Sequence, residues 1–126
     1  MARTELSDSS QHVYFQIFPD NTPRNKNNGG CEFQYRTEKG GDMKAIYPNL
    51  ETAGDKFDVK FPTTWIRLKR TGDIFESYCS HDNKTWNLYS TFTLQMPNEL
   101  HVGMAVTSHN SDEQTLAGFA DFTMGK

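Results

Sequence analysis

The chain has 126 residues, which fits one domain able to bury roughly two thirds of the surface its unfolded form exposes. Only 35% of the residues are hydrophobic, yet there are nine Phe and five Tyr, so a small set of large aromatic side chains must fill much of the interior. The 13 basic and 16 acidic residues are mixed along the chain, and no segment reaches the ~20 apolar residues of a bilayer span, so neither nucleic acid nor membrane insertion is expected.

The start, "MARTELSDSS", has no apolar stretch of the kind a signal peptide carries, and "LSDSS" reads as a linker-like piece. In "HVYFQIF", Val13, Phe15 and Ile17 share one face and Tyr14, Gln16 and Phe18 the other, the alternation of a strand that Pro19-Asp20 ends. The polar loop "NTPRNKNNGG" leads into "CEFQYR", where Cys31, Phe33 and Tyr35 alternate with Glu32, Gln34 and Arg36. Together these two strands predict a hairpin with a long tip.

"MKAIYP" is a short candidate strand, and "NLETAGDKFDVKFPTT" reads mostly as connection because Gly54 and Pro62 interrupt it. "WIRLKR", the turn Thr71-Gly72-Asp73 and "IFESYCS" predict a second hairpin, with Ile66 and Leu68 inward opposite Phe75, Ser77 and Cys79. "HDNKT" is a further turn, "WNLYSTFTL" a strand, and Pro97-Asn98 a break. "HVGMAVTSH" then predicts a long strand with Val102, Met104 and Val106 facing the core, and "LAGFADFTM" a last strand.

Seven or so strands with no helix and no internal repeat argue for an all-β fold, an antiparallel two-sheet sandwich forming a single domain over residues 1–126. The two cysteines, Cys31 and Cys79, lie in strand-like runs and have no zinc-ligand spacing; buried free thiols or one bridge both fit.

Three fragments, "WIRLKRTGDIFESYCSHDNKTW", "VGMAVTSHN" and the closing "FADFT", resemble the concanavalin A-like lectin/glucanase jelly roll. The likeness is to the small bacterial modules of the DUF1349-like kind that accompany polysaccharide-degrading enzymes. The opening is similar to that family's middle section, where family members carry further N-terminal strands; the sandwich is therefore expected to be incomplete at its N-terminus, as a fragment, a late start or a fold completed by a neighbouring chain. An unpaired sheet edge invites pairing, so a homodimer or swapped assembly is expected. The resemblance also implies a secreted or cell-envelope location.

Glycan-cutting members of that superfamily carry Glu-x-Asp-x-x-Glu on one strand, since retaining hydrolysis needs two carboxyl groups about 5 to 5.5 Å apart. The nearest groupings here, Asp73 with Glu76 and Asp112 with Glu113, sit at a turn and in a polar loop, and no catalytic residue is assigned. Asp82 with Asn83, and Asn110 with Asp112, offer only a start on the six to eight oxygen ligands of calcium, and turn chemistry accounts for them; no cofactor is expected, with calcium as the alternative. His12, His81, His101 and His109 have no metal-binding spacing, and Ser108 and His109, as neighbours on a strand, face opposite ways.

Alternation does place Tyr14, Gln16, Gln34, Arg36, Arg67, Glu76, Tyr78 and His109 on faces turned from the core. If their strands are neighbours, as in a jelly roll, they form one concave surface with the flat rings, amides, guanidinium and carboxylate groups that bind sugar. The competing reading is a solvated face with a cross-strand Arg67–Glu76 ion pair. On the same terms Trp86 is a residue packing over its hairpin, or a stacking platform.

The resulting expectation is a non-catalytic carbohydrate-binding or accessory module associated with polysaccharide degradation. The alternatives are a glycoside hydrolase of the same architecture, whose carboxylates come from loops, and a structural or assembly domain.

Overall fold

A computed structural model of the chain describes residues 1–17, 30–46, 59, 64–108 and 110–125. Among these residues there are eight strands and no helix: β1 (Ala2–Arg3), β2 (His12–Ile17), β3 (Cys31–Arg36), β4 (Lys44–Ile46), β5 (Trp65–Thr71), β6 (Ile74–Ser80), β7 (Asn87–Thr93) and β8 (His101–Val102). They form two antiparallel sheets, one ordered β4-β3-β2-β1-β8 and the other β5-β6-β7. No described helix is long and apolar enough to cross a membrane.

The period-two pattern determines what the sheets bury. Val13, Phe15 and Ile17 of β2 pair with Tyr35, Phe33 and Cys31 of β3, so one face of the larger sheet is apolar. Phe75, Ser77 and Cys79 of β6 turn the corresponding face of the smaller sheet toward it, and all three are buried. Aromatic rings join the layers: Phe33 and Tyr35 meet Phe92 of β7 with ring centres 5.8 and 4.1 Å apart, and Phe15 meets Tyr89 at 5.0 Å. Such tilted pairs add about 0.5–1.5 kcal/mol each beyond the area they bury.

A bulge explains why Tyr89 can reach across. Ser77 pairs with Ser90, but Tyr78 pairs with Leu88, which leaves Tyr89 as the extra residue in β7. Its hydroxyl crosses to the other sheet and donates to the Cys31 carbonyl at 2.8 Å. Ser77 and Ser90 remain inside the core, where their hydroxyls satisfy each other at 2.6 Å.

The hairpin predicted at Gly72 is present: Gly72 adopts φ 61°, the left-handed region, between β5 and β6. Arg70 holds the chain that leaves β7, donating to the carbonyls of Met96 at 2.6 Å and Pro97 at 2.5 Å, and so seats Leu94 and Met96 under the core. Gln11 fastens the same segment to the larger sheet, its amide donating to the carbonyls of Gln95 at 3.0 Å and Thr37 at 2.8 Å.

Three expectations are corrected. The N-terminal piece supplies β1, an interior strand of its sheet whose Ala2 is buried, where no strand was expected. The long strand expected over "HVGMAVTSH" shrinks to His101–Val102, and the last strand over "LAGFADFTM" is absent. Val102, Met104 and Val106 accordingly stand about half exposed, at 49%, 51% and 53%, instead of entering the core. The physical reason is pairing: β8 meets β1 only at His101 and Val102, because β1 itself is two residues long. The long tip between β2 and β3 lies outside the described residues, as does most of the connection that precedes β5.

Candidate functional site

The outer face of the β5-β6-β7 sheet is assembled from rows that cross its strands. Arg67 stands opposite Tyr78, which stands opposite Leu88; beside them Lys69, Glu76 and Thr91 form the next row. Lys69 Nζ lies 3.2 Å from Glu76 Oε2. The Arg67–Glu76 ion pair expected from the sequence is thus replaced by Lys69–Glu76, because the register sets Lys69, and not Arg67, directly across from Glu76.

Arg67 has another partner. Its guanidinium carbon lies 3.8 Å from the centre of the Trp86 ring, a cation–π contact worth about 0.5–1 kcal/mol at an exposed site. Trp86 is placed by the turn before β7. The Asp82 carboxylate accepts the backbone N–H groups of Lys84 at 2.8 Å and Thr85 at 2.7 Å, while Asn83 takes φ 56°. Those N–H bonds hold the Asp82 carboxyl down at about 2, and its oxygens therefore belong to the turn. Asn110 does the same work in its loop, its side-chain oxygen accepting the Asp112 N–H at 3.1 Å.

Tyr78 keeps its proton firmly. Partial burial pushes its phenol up first, and the hydrogen bond and negative charge of Glu76 add to this, against the opposing pull of Lys69 and Arg67. The face therefore presents a neutral phenol, an indole, two cations and a carboxylate on one exposed to half-buried surface.

The outer face of the larger sheet is organised differently. Tyr14 donates to the Gln34 side-chain oxygen, and the Gln34 amide donates to Glu32 Oε1 at 2.5 Å. Glu32 and His12 are buried although they alternate outward, and burial holds the Tyr14 phenol up at about 12. Arg36 donates to the carbonyls of Asp8 at 2.6 Å and Ser10 at 3.4 Å, and Arg3 donates to that of Ser7. The two arginines clasp the loop between β1 and β2, with His12 between them in register.

The eight residues expected to share one concave surface are thus divided. Tyr14, Gln16, Gln34 and Arg36 lie on the five-stranded sheet, and Arg67, Glu76 and Tyr78 on the three-stranded one, with the core between. Their strands are not neighbours, so the condition for convergence is not met. His109 lies outside the described residues. Of the first group, Tyr14 uses its hydroxyl on Gln34, Gln34 uses its amide on Glu32, and Arg36 uses its guanidinium on the loop. The second group keeps an open face.

Lys69 and Trp86 join that face, and so does Leu88. The signal for Lys69 was its alternation with Leu68. Trp86 was expected to pack over its hairpin or to serve as a stacking platform, but its contact with Arg67 depends on the turn and was not expected. Among the described residues no group of three His, Cys, Asp or Glu side chains is placed to hold a metal ion. Comparison with protein-family models, curated proteins and solved structures returns no match to this chain.

Proposed function

We propose that this sandwich is a non-catalytic carbohydrate-binding or accessory module of polysaccharide degradation, secreted or held at the cell envelope, with the concanavalin A-like jelly roll as its family. The outer face of the β5-β6-β7 sheet is its glycan surface. The observation that carries the reading is the cluster of Arg67, Tyr78 and Trp86 beside the Lys69–Glu76 pair. Flat rings stack on the C–H face of a sugar, while the fixed guanidinium, ammonium and carboxylate hydrogen-bond its hydroxyls. Such a module works by effective concentration, holding a linked or associated enzyme at its polymer, so weak binding suffices.

Two ion pairs engage the carboxylates of the nearest strand-and-turn grouping. Glu76 pairs with Lys69, and Asp73 Oδ1 lies 3.9 Å from Arg70 Nη2, so each carboxylate has a cation as its partner. Retention of the chain on insoluble polysaccharides, with no release of reducing sugar, tests the binding reading against the catalytic one.

A separate observation favours an additional assembly role. Leu116 is 98% exposed and Met124 72%, and Phe119 and Phe122 are about half exposed, following the exposed Val102, Met104 and Val106. That much apolar surface on a strand-patterned segment beside the β8 edge suits pairing with the same segment of a second copy.

A further inference from the structure

Cys31 lies in β3 and Cys79 in β6, strands of different sheets, and their Sγ atoms are 3.3 Å apart. Both are fully buried free thiols in the centre of the core. The Cys31 backbone is fixed in place by the Tyr89 hydroxyl on its carbonyl at 2.8 Å, and Cys79 is paired on both sides, with Ile66 of β5 and Asn87 of β7. A disulfide needs its sulfurs about 2.05 Å apart, so closure asks for little more than an ångström of approach.

We propose that Cys31 and Cys79 are a disulfide-forming pair that bolts one sheet of the sandwich to the other, closed by thiol–disulfide exchange with a small-molecule disulfide. One cysteine, as its thiolate, attacks a sulfur of that disulfide; a mixed disulfide forms and one small thiolate leaves. The second cysteine, as it loses its proton, attacks the protein sulfur of the mixed disulfide and expels the other small thiolate. The two protein thiols are thereby oxidised by two electrons to one bond, the small disulfide is reduced to two thiols, and the two protons pass to them.

Full burial sets the timing. An oxidant the size of a tripeptide disulfide cannot reach either sulfur once the sheets have closed, so the exchange belongs to folding or to excursions that open the core. After it, the same burial shields the bond from reductants. The bond closes a loop of 48 residues in sequence separation, long enough to restrict the unfolded chain strongly.

The test is to refold the full chain with glutathione disulfide and with a reductant, then alkylate under denaturing conditions and weigh the intact protein. The oxidised sample is expected to resist alkylation, to yield a Cys31–Cys79 crosslinked peptide, to show the mass of a single chain under denaturing conditions, and to melt about 10 °C above the reduced sample. A Cys31→Ala/Cys79→Ala chain is expected to melt at one temperature in both buffers. Alkylation of both cysteines after oxidative refolding overturns the proposal. So do bonds found only between chains, a crosslinked chain that melts no higher than the reduced one, or a double variant whose melting follows the oxidant.

Discussion

The guanidinium of Arg67 lies over the Trp86 ring at 3.8 Å while the same residue faces Tyr78 across the β5–β6 ladder. One cation on β5 thus stacks on an indole from the turn before β7 and stands across the ladder from a phenol on β6, on an outer surface that the core does not need. Arg67→Ala is therefore expected to cost no more than about 1 kcal/mol of stability, the worth of an exposed cation–π contact, while abolishing retention on polysaccharide. Urea denaturation beside a pull-down assay separates the two effects.

The core gives the opposite signature. Phe33 and Phe75 are fully buried on facing sheets, and truncating either to Ala is expected to destabilise the chain by about 3–5 kcal/mol. The denaturant midpoint reads the loss.

Ser77 and Ser90 test the bulge. With their hydroxyls 2.6 Å apart inside the core, either single Ala substitution leaves a buried hydroxyl unpaired, at about 1–3 kcal/mol. The Ser77→Ala/Ser90→Ala pair is expected to cost much less than the two single changes added together, a coupling that a double-mutant cycle measures.

How much of this was legible beforehand depends on what alternation can say. β2, β3 and the β5–β6 hairpin follow from period-two runs bounded by turns, and the Ile66–Cys79 and Leu68–Ser77 registers follow from a two-residue turn at Gly72, although Ile66, expected inward, is 42% exposed on its outer strand. Alternation reports which way a side chain points, but not which sheet its strand joins. Tyr14 and Tyr78 therefore read as neighbours when they stand on opposite sides of the molecule. β1 escaped because two residues carry no period, and the stretch after Val102 has a strand's pattern but forms no strand among the described residues. Trp86 and the loop clasped by Arg3 and Arg36 depend on side-chain reach, which spacing does not encode.

Acid should weaken the fold in two stages. Burial, more than the nearby Arg36 and Arg3, lowers the His12 pKa below its usual 6.5, so the folded chain binds fewer protons there than the unfolded one. Its contribution is complete above pH 6.5 and declines as the pH falls below that value. Asp82, held at about 2 against an ordinary 3.8, gives up its contribution between those two values. Tyr14 acts at the other end: raised to about 12, it favours the folded state fully below pH 10 and progressively less from pH 10 to 12. Melting temperature against pH, in the parent chain and in His12→Gln and Tyr14→Phe variants, checks each limb.

The exposed apolar segment predicts self-association. Light scattering is expected to show a dimer, and Met104→Lys/Phe119→Lys is expected to return a monomer that keeps the parent's far-ultraviolet spectrum. A parent chain that is monomeric at every concentration contradicts the assembly role and leaves the glycan face untouched.

The most direct measurement is a glycan microarray on three chains: the parent, Arg67→Ala/Tyr78→Ala on the three-stranded sheet, and Gln16→Ala/Gln34→Ala on the five-stranded one. The account predicts that the parent binds a defined class of glycan, that the first variant loses it, and that the second retains it. A folded parent that binds no glycan, or binding that survives the first variant and vanishes with the second, contradicts it.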